Sequence, residues 1–495
     1  MHKSVPVFFS CIFFVKIDVK TFHFWHLLEN HYICRIRVGT FLGLIMAKTN
    51  IPVLYRLFKA YVKFLVEKVY YRRTHYINSG NVPSDGTPLL IVSDHQNSLN
   101  DALGVLLSIS DRVVHFIVRA DVFELSRTAD RFLRKIGLLP AFRLDWEGES
   151  ALNNNAATFR NSEKTLLDGN TVVIYPEAGH QTRHFLGTFS YGYTKMAFEA
   201  AEMENFEKEI FILPSCNHYS AYRYLRTDML IEYGTPISIK PFYELYKMKP
   251  RTAQRHVNAL VREQIKSMML SVDDIDNYDA IDFIRQGRYG QEFAKRAGLD
   301  PDQLPQKLQS DRTLVAALTS AKESRPEAVA EVYAEAAALK QEMVAEGLTD
   351  TELDATPSII TLIVNAIVMV ALVPLAVFTV WPSIPAWIIP RHFWKKAEDE
   401  MFSGTFLIAL NALLIFPVLG LITFLITWAK ASLLAAVIYV ALFPALCLFE
   451  WAYYGWGLEL LRGVNARRLD KSGKLASVRA KREKLYKDID TILIN

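Results

Sequence analysis

Three long stretches near the C-terminus carry no Asp, Glu, Lys, Arg or His, and they restrict the possible folds more than any other feature of the 495 residues. Residues 358–380 form an uncharged run of 23, followed after a Trp-Pro-Ser-Ile-Pro interruption by further apolar residues to Pro390. Residues 402–428 and 431–449 are likewise uncharged. A run of about 20 apolar residues crosses the hydrocarbon core as a helix. Lipid offers no partner for exposed backbone groups, so irregular chain is not an alternative there. Basic residues at 391–396 and in the tail, where residues 462–490 hold ten Lys/Arg against four Asp/Glu, are both expected on the cytoplasmic face. That requires an even number of crossings between them, which 402–428 and 431–449 supply. Residues 358–390 would then turn back at their Pro-rich middle as a re-entrant hairpin; three plain crossings are the competing arrangement.

The remainder is soluble in character. The hydrophobic fraction is 51% and the formal net charge +4, too mild a balance to imply nucleic acid. The four cysteines, Cys11, Cys34, Cys216 and Cys447, include no Cys-x-x-Cys, so neither a disulfide framework nor a structural zinc site is indicated. A reducing, cytosolic face for the soluble part follows. The basic tail reads equally well as a segment beside anionic headgroups and as a solvated helix.

Six segments are expected. Residues 1–45 contain an apolar run, 5–15, too short to span and without a small-residue cleavage pattern. The chain reads as starting afresh at Met46, which makes 1–45 an extension. Residues 46–70 form a basic amphipathic helix with Leu54, Leu57, Phe58, Tyr61 and Leu65 on one face and Arg56, Lys59, Lys63 and Glu67 opposite. Its apolar face suits a membrane interface, the following domain, or both. Residues 71–240 alternate apolar runs (88–92, 113–118, 171–175, 210–213, 229–233) with helical stretches (98–107, 127–136, 150–168, 193–202). This predicts an α/β domain with a mostly parallel sheet flanked by helices. Residues 241–356 read as a helical connector without chemistry of its own, 357–461 as the transmembrane or re-entrant helices, and 462–495 as a basic cytoplasmic tail.

Four motifs in the α/β part fall where strands end. The first is Ser93-Asp94-His95-Gln96-Asn97-Ser98-Leu99-Asn100-Asp101. A carboxylate one helical turn after a His can fix the imidazole tautomer and leave the other ring nitrogen to take a proton from an alcohol. The second is Gly137-Leu138-Leu139-Pro140-Ala141-Phe142-Arg143, a Gly/Pro-marked loop that delivers one cation. In the third, a strand runs into Tyr175-Pro176-Glu177-Ala178-Gly179 with Arg183 behind it; the turn amides and the guanidinium could seat a phosphate or a carboxylate. The fourth, Phe211-Ile212-Leu213-Pro214, is a strand closing on Pro. Glu177, His180 and His184 have the spacing of metal ligands only on a helix, which Gly179 and Pro176 disfavour, so no metal is expected.

Taken in this order, the four motifs resemble the glycerophospholipid acyltransferase family, over about residues 51–236. His95 with Asp101, Arg143, the Pro176-Glu177-Ala178-Gly179 turn and Pro214 match its four blocks. Two departures stand out: Asn100 occupies the usual acid position with Asp101 one further on, and Arg183 is displaced from the third block. Both are similar to the fungal-type glycerol-3-phosphate/dihydroxyacetone-phosphate branch.

The resemblance implies direct acyl transfer from acyl-CoA or acyl-carrier protein, with His95 as base and Asp101 orienting it. It implies Asn97, Arg143, Glu177, Gly179 and Arg183 around the substrate, with Glu177 shaping the loop and not moving a proton. It calls for no cofactor. Glycerol 3-phosphate is the favoured acceptor; lysophosphatidate and dihydroxyacetone phosphate are alternatives. The expected partners are membrane lipids, the acyl carrier and the phosphorylated acceptor, in an integral membrane protein whose catalytic domain faces the cytoplasm. Oligomeric state is not indicated. A non-catalytic lipid-binding protein or a transporter is the rival from another class; it predicts ionisable residues inside the spans.

Overall fold

The computed structural model describes residues 51–123, 126–141, 149–177, 183–222, 225–396 and 402–494. The expectations for residues 1–45 and Met46, and the candidates Arg143, Gly179 and His180, lie outside these.

An eight-stranded sheet organises the α/β part. In chain order its strands are β1 (Tyr71–Ile77), β2 (Leu89–Ser93), β3 (Val114–Arg119), β4 (Leu138–Ala141), β5 (Thr171–Ile174), β6 (Phe211–Tyr219), β7 (Thr227–Tyr233) and β8 (Ile237–Ser238). They lie side by side as β1-β7-β6-β2-β5-β3-β4, with β8 on β6. Only the β6–β7 and β6–β8 pairings are antiparallel. Central β2 is buried along its whole length, which explains a Leu-Leu-Ile-Val run without polar alternation. Helices α1 (Val53–Phe64) and α2 (Leu99–Ser108) cover one face through Tyr55, Val62, Leu103 and Val105. Helices α3 (Arg127–Lys135) and α4 (Glu149–Leu167) follow in the chain. With α4, helices α5 (Gly192–Met203) and α6 (Pro250–Met268) cover the other face through Leu166, Met196, Ala197 and Val257.

Several expectations are corrected. Residues 138–141, read as a loop, form edge strand β4. Strand β6 does not close on Pro214 but continues to Tyr219. Pro214 falls between the residues paired to β8 (Phe211, Ile212) and those paired to β7 (Ser215 onward), so its missing N–H costs neither ladder a bond. The N-terminal helix is turned differently from its charge pattern: Leu54 and Leu57 are exposed while Tyr55, Lys59 and Val62 are buried. The stem of Lys59 lies along apolar surface and its Nζ reaches Ile109 O. Burial lowers its pKa to about 8, with nearby Lys63 adding to the effect. Past Phe64 the helix continues as a π-helical turn, Leu65–Tyr70.

The connector contains α7 (Tyr278–Gln286), α8 (Arg288–Arg296), α9 (Leu304–Ser324) and α10 (Pro326–Ala345). Three helical segments long and apolar enough to cross a membrane follow: Ile359–Trp381, Phe402–Lys430 and Leu433–Lys471. The first belongs to α11 (Ile359–Lys396), which is unbroken, so there is no re-entrant turn at 381–390. Pro390 cannot donate to Ala386 O, and Asn411 Nδ2 fills that role at 3.0 Å. The second consists of α12 (Phe402–Leu410), a π-helical turn (Asn411–Ile415) and α13 (Phe416–Lys430). The third is α14 (Leu433–Lys471), whose Glu450 accepts from Thr379 of α11. Helix α15 (Lys474–Ile494) is not a free tail. Its Leu475, Val478, Leu485 and Ile489 join the buried core of the connector, and Arg482 pairs with Asp350 at 3.0 Å and Asp354 at 2.8 Å.

Candidate active site

The site grows from the C-terminal end of β2, in the middle of the sheet. The chain leaves the strand at Ser93 and turns through 94–98 into α2. Ser98, at the helix N-cap, adopts φ 48° and ψ −122°. A non-glycine residue in such a conformation is costly and is kept only where its surroundings enforce it. The turn wraps a single carboxylate. Asp101 Oδ2 accepts from Gln96 N at 2.9 Å and Asn97 N at 2.8 Å, and lies 2.8 Å from His95 Nδ1. Tyr219 OH donates to Asp101 Oδ1 at 2.7 Å. Asp101 is wholly buried and in the first turn of α2, where the helix dipole favours an anion. With Nδ1 held by Asp101, Nε2 is the nitrogen that can exchange a proton with a substrate.

The His95 ring stacks on Tyr175, centroids 4.4 Å apart, and 16% of its side chain is accessible. Glu177 joins two loops: Oε1 accepts from His95 N at 3.2 Å and Oε2 from Gly187 N at 2.9 Å. Asp94 ties the start of the turn to β6, accepting from Asn217 N at 2.8 Å and Asn217 Nδ2 at 3.1 Å. Burial pushes its carboxyl well above the usual range, and the nearby Asp101 and Glu177 add to that. The Nδ2 of Asn97 is buried and has no protein hydrogen-bond partner among the described residues.

Arg183 lies against the connector. Its guanidinium lies 5.1 Å from the Tyr278 ring centroid, 3.4 Å from Ile275 O and 3.6 Å from the Asp279 carboxylate. The next residue, His184, is buried; its N donates to Tyr278 OH at 3.0 Å and its Nδ1 lies 3.4 Å from Tyr222 OH. Tyr222 OH in turn donates to Gln96 Oε1 at 2.7 Å. Burial lowers the His184 pKa well below the usual range, helped by Arg285, so this ring is neutral. No group of three or more metal-ligating side chains occurs among the described residues.

The structure thus brings His95, Asp101, Asn97 and Glu177 together and places Arg183 one loop away, held by the connector. Sequence reasoning missed Tyr219, Tyr175, Tyr222 and Tyr278 as partners. Tyr175 stood in the third motif without a role, and Tyr219 lies on the part of β6 beyond Pro214. The other two are joined to the site only by tertiary packing. The connector, read as lacking chemistry, supports the third motif directly.

No curated protein matches the chain. A solved structure similar to part of it is the 1-acyl-sn-glycerophosphate (LPA) acyltransferase, PlsC, from Thermotoga maritima. The two are 14% identical, with a TM-score of 0.31, covering 48% of this chain and 92% of that one. Residues 72–217, which begin within β1, end within β6 and hold the whole His95–Asp101 turn, match the Acyltransferase family model.

Proposed function

We propose that the protein transfers a fatty acyl group from an acyl thioester, acyl-CoA or acyl-carrier protein, to the hydroxyl of glycerol 3-phosphate. The observation that carries this reading is the 2.8 Å contact of His95 Nδ1 with a fully buried Asp101 at the centre of the sheet's C-terminal edge. In the proposed reaction, His95 Nε2 removes the acceptor hydroxyl proton while that oxygen attacks the thioester carbonyl. The resulting tetrahedral oxyanion collapses, the C–S bond breaks, and the leaving thiolate takes the proton from the imidazolium. A positioned base of this kind typically contributes about 10²–10⁴-fold. Asn97 Nδ2, buried and lacking a protein partner among the described residues, is a suitable donor to the acceptor or to the oxyanion.

Arg143, Gly179 and Arg183 are assigned to the acceptor phosphate, which would convert an encounter into a fixed alignment. For Arg183 this means exchanging Asp279, an exposed partner at 3.6 Å, for the phosphate; such surface pairs hold weakly. Glu177, bonded to amides of two loops, is assigned to shape and not to proton transfer. Lysophosphatidate and dihydroxyacetone phosphate present the same hydroxyl near an anion and remain alternative acceptors. The apolar helices imply membrane association, and the catalytic domain is assigned to the cytoplasmic side. Purified full-length protein given a labelled acyl thioester and a panel of phosphorylated alcohols should form one acyl ester preferentially, and His95→Ala should form none. Near-normal ester synthesis by His95→Ala would defeat the assignment.

A further inference from the structure

The first turn of α2 is held partly from outside its own domain. Ser98, at the N-cap, does not cap the helix with its own side chain. Instead Leu99 N donates to Oγ1 of Thr405, 306 residues away on membrane helix α12, at 3.1 Å. The neighbouring Gly404 faces the same turn at close range. A Cβ at that position would lie 2.6 Å from Asn100 Nδ2, 2.9 Å from Tyr70 OH and 3.4 Å from Asn97 Oδ1. Asn100 Nδ2 donates to Asn97 Oδ1 at 3.0 Å, so the glycine leaves room for the amide pair that spans the turn. Two adjacent residues of α12 therefore support the seven residues that bring His95 to Asp101, including the unfavourable backbone of Ser98.

We infer that Thr405 and Gly404 of the membrane helix are positioning residues for the His95–Asp101 pair. Thr405 supplies the missing cap of α2 and Gly404 admits the Asn97–Asn100 bridge. The turn holds its working geometry only while α12 is docked against it. This rests on the acyl-transfer reading for its kinetic consequence, but not for its structural one.

The test uses the full chain in phospholipid vesicles, with palmitoyl-CoA and each phosphorylated alcohol of the panel. Amide hydrogen exchange over residues 96–101 is followed in parallel. Thr405→Val should lower kcat about 10-fold, the scale of a lost helix cap, with KM for palmitoyl-CoA within about 2-fold and faster exchange at 96–101. Thr405→Ser, which keeps the hydroxyl, should restore both. Gly404→Ala should lower kcat at least as much as Thr405→Val, and its effect should be non-additive with Asn100→Ala, whose truncation removes the nearest of the close contacts, at 2.6 Å, and leaves the one with Tyr70 OH. Gly420→Ala, whose new Cβ meets nothing nearer than Val440 Cγ1 at 3.9 Å, should leave rate and exchange unchanged.

Wild-type rates and exchange in Thr405→Val and Gly404→Ala would overturn the inference. So would equal losses in Gly420→Ala, which would indicate a general response of the membrane region. If the parent forms no ester with any acceptor, the acyl-transfer reading falls. The exchange data alone then decide whether α12 positions the turn.

Discussion

The α/β domain and the membrane helices use the same residue types in opposite ways. Leu89, Leu90, Ile91 and Val92 of β2 are completely buried, whereas Ile360, Val370 and Leu434 of the membrane helices are about 70% exposed. Most of what is buried among the membrane helices is small or polar, such as Thr379, Ser383, Gly404, Thr423 and Ala436, with Ile408, Ile415 and Phe443 as larger exceptions. Water drives aliphatic side chains together in the first region. Lipid gives them no reason to leave in the second, so helices approach there through small residues and hydroxyls. The difference shows that hydrophobicity alone cannot say which face of a segment is inside; the surrounding solvent must be known first. The α1 helix stands between the two regimes. Its Tyr55 and Val62 pack on the sheet domain, Leu54 and Leu57 face outward, and Tyr61 OH donates to Ala412 O of the membrane part at 2.8 Å.

Where the regions meet, the largest effect is expected. Asp101→Asn keeps the size of the side chain but weakens its hold on the imidazolium, and initial ester-forming rates should fall about 10³-fold. A fall under 10-fold would mean that the pair is not the reacting one.

The contrast itself is tested next by matched truncations. Leu213→Ala in the centre of the sheet should cost about 3 kcal/mol of stability, whereas Leu425→Ala on an exposed face of α13 should change it by less than about 0.5 kcal/mol. Unfolding followed in one detergent should show the two far apart; equal costs would mean that α13 is not facing lipid.

Lys59 offers a pH-dependent test. Its pKa falls from 10.5 to about 8 on folding, so the folded state disfavours the charge it carries at neutral pH. The penalty is full below about pH 8, declines as pH rises from 8 towards 10.5, and is absent above. Thermal midpoints of the wild type relative to Lys59→Met should climb over that window. At pH 7 the variant should gain about 2 kcal/mol, somewhat less than the shift alone implies because the bond to Ile109 O is lost. A constant difference from pH 6 to 10 would contradict this.

The smallest effect is expected at Arg183. Arg183→Ala should change stability by under about 1 kcal/mol, as for an exposed ion pair, while raising KM for a phosphorylated acceptor about 10-fold. An unchanged KM would leave the arginine with the connector alone.

Much of this was legible in the sequence, for identifiable reasons. Strands β2, β5 and β7 showed as apolar runs because both of their faces are covered. Edge strand β1, Tyr-Arg-Arg-Thr-His-Tyr-Ile, did not, because Arg72 and Arg73 are there to bind Asp228, at 2.8 Å each. His95 and Asp101 could be paired because they are joined by one turn of chain. Tyr219 and Thr405 could not, since only the folded chain brings them to that turn. The orientation of α1 was misread by treating Lys59 as a surface charge when its long stem allows burial. The prolines of α11 suggested a bend because the acceptor freed by Pro390 finds its donor, Asn411, only across a helix interface.

Glu177 gives the site a mechanical property as well as a chemical one. One planar group grips the backbone of two loops, at position 95 and at position 187. If the 187 side shifts to admit a ligand, His95, the proposed base, is drawn along with it. Ligand entry and alignment of the imidazole would then be a single movement.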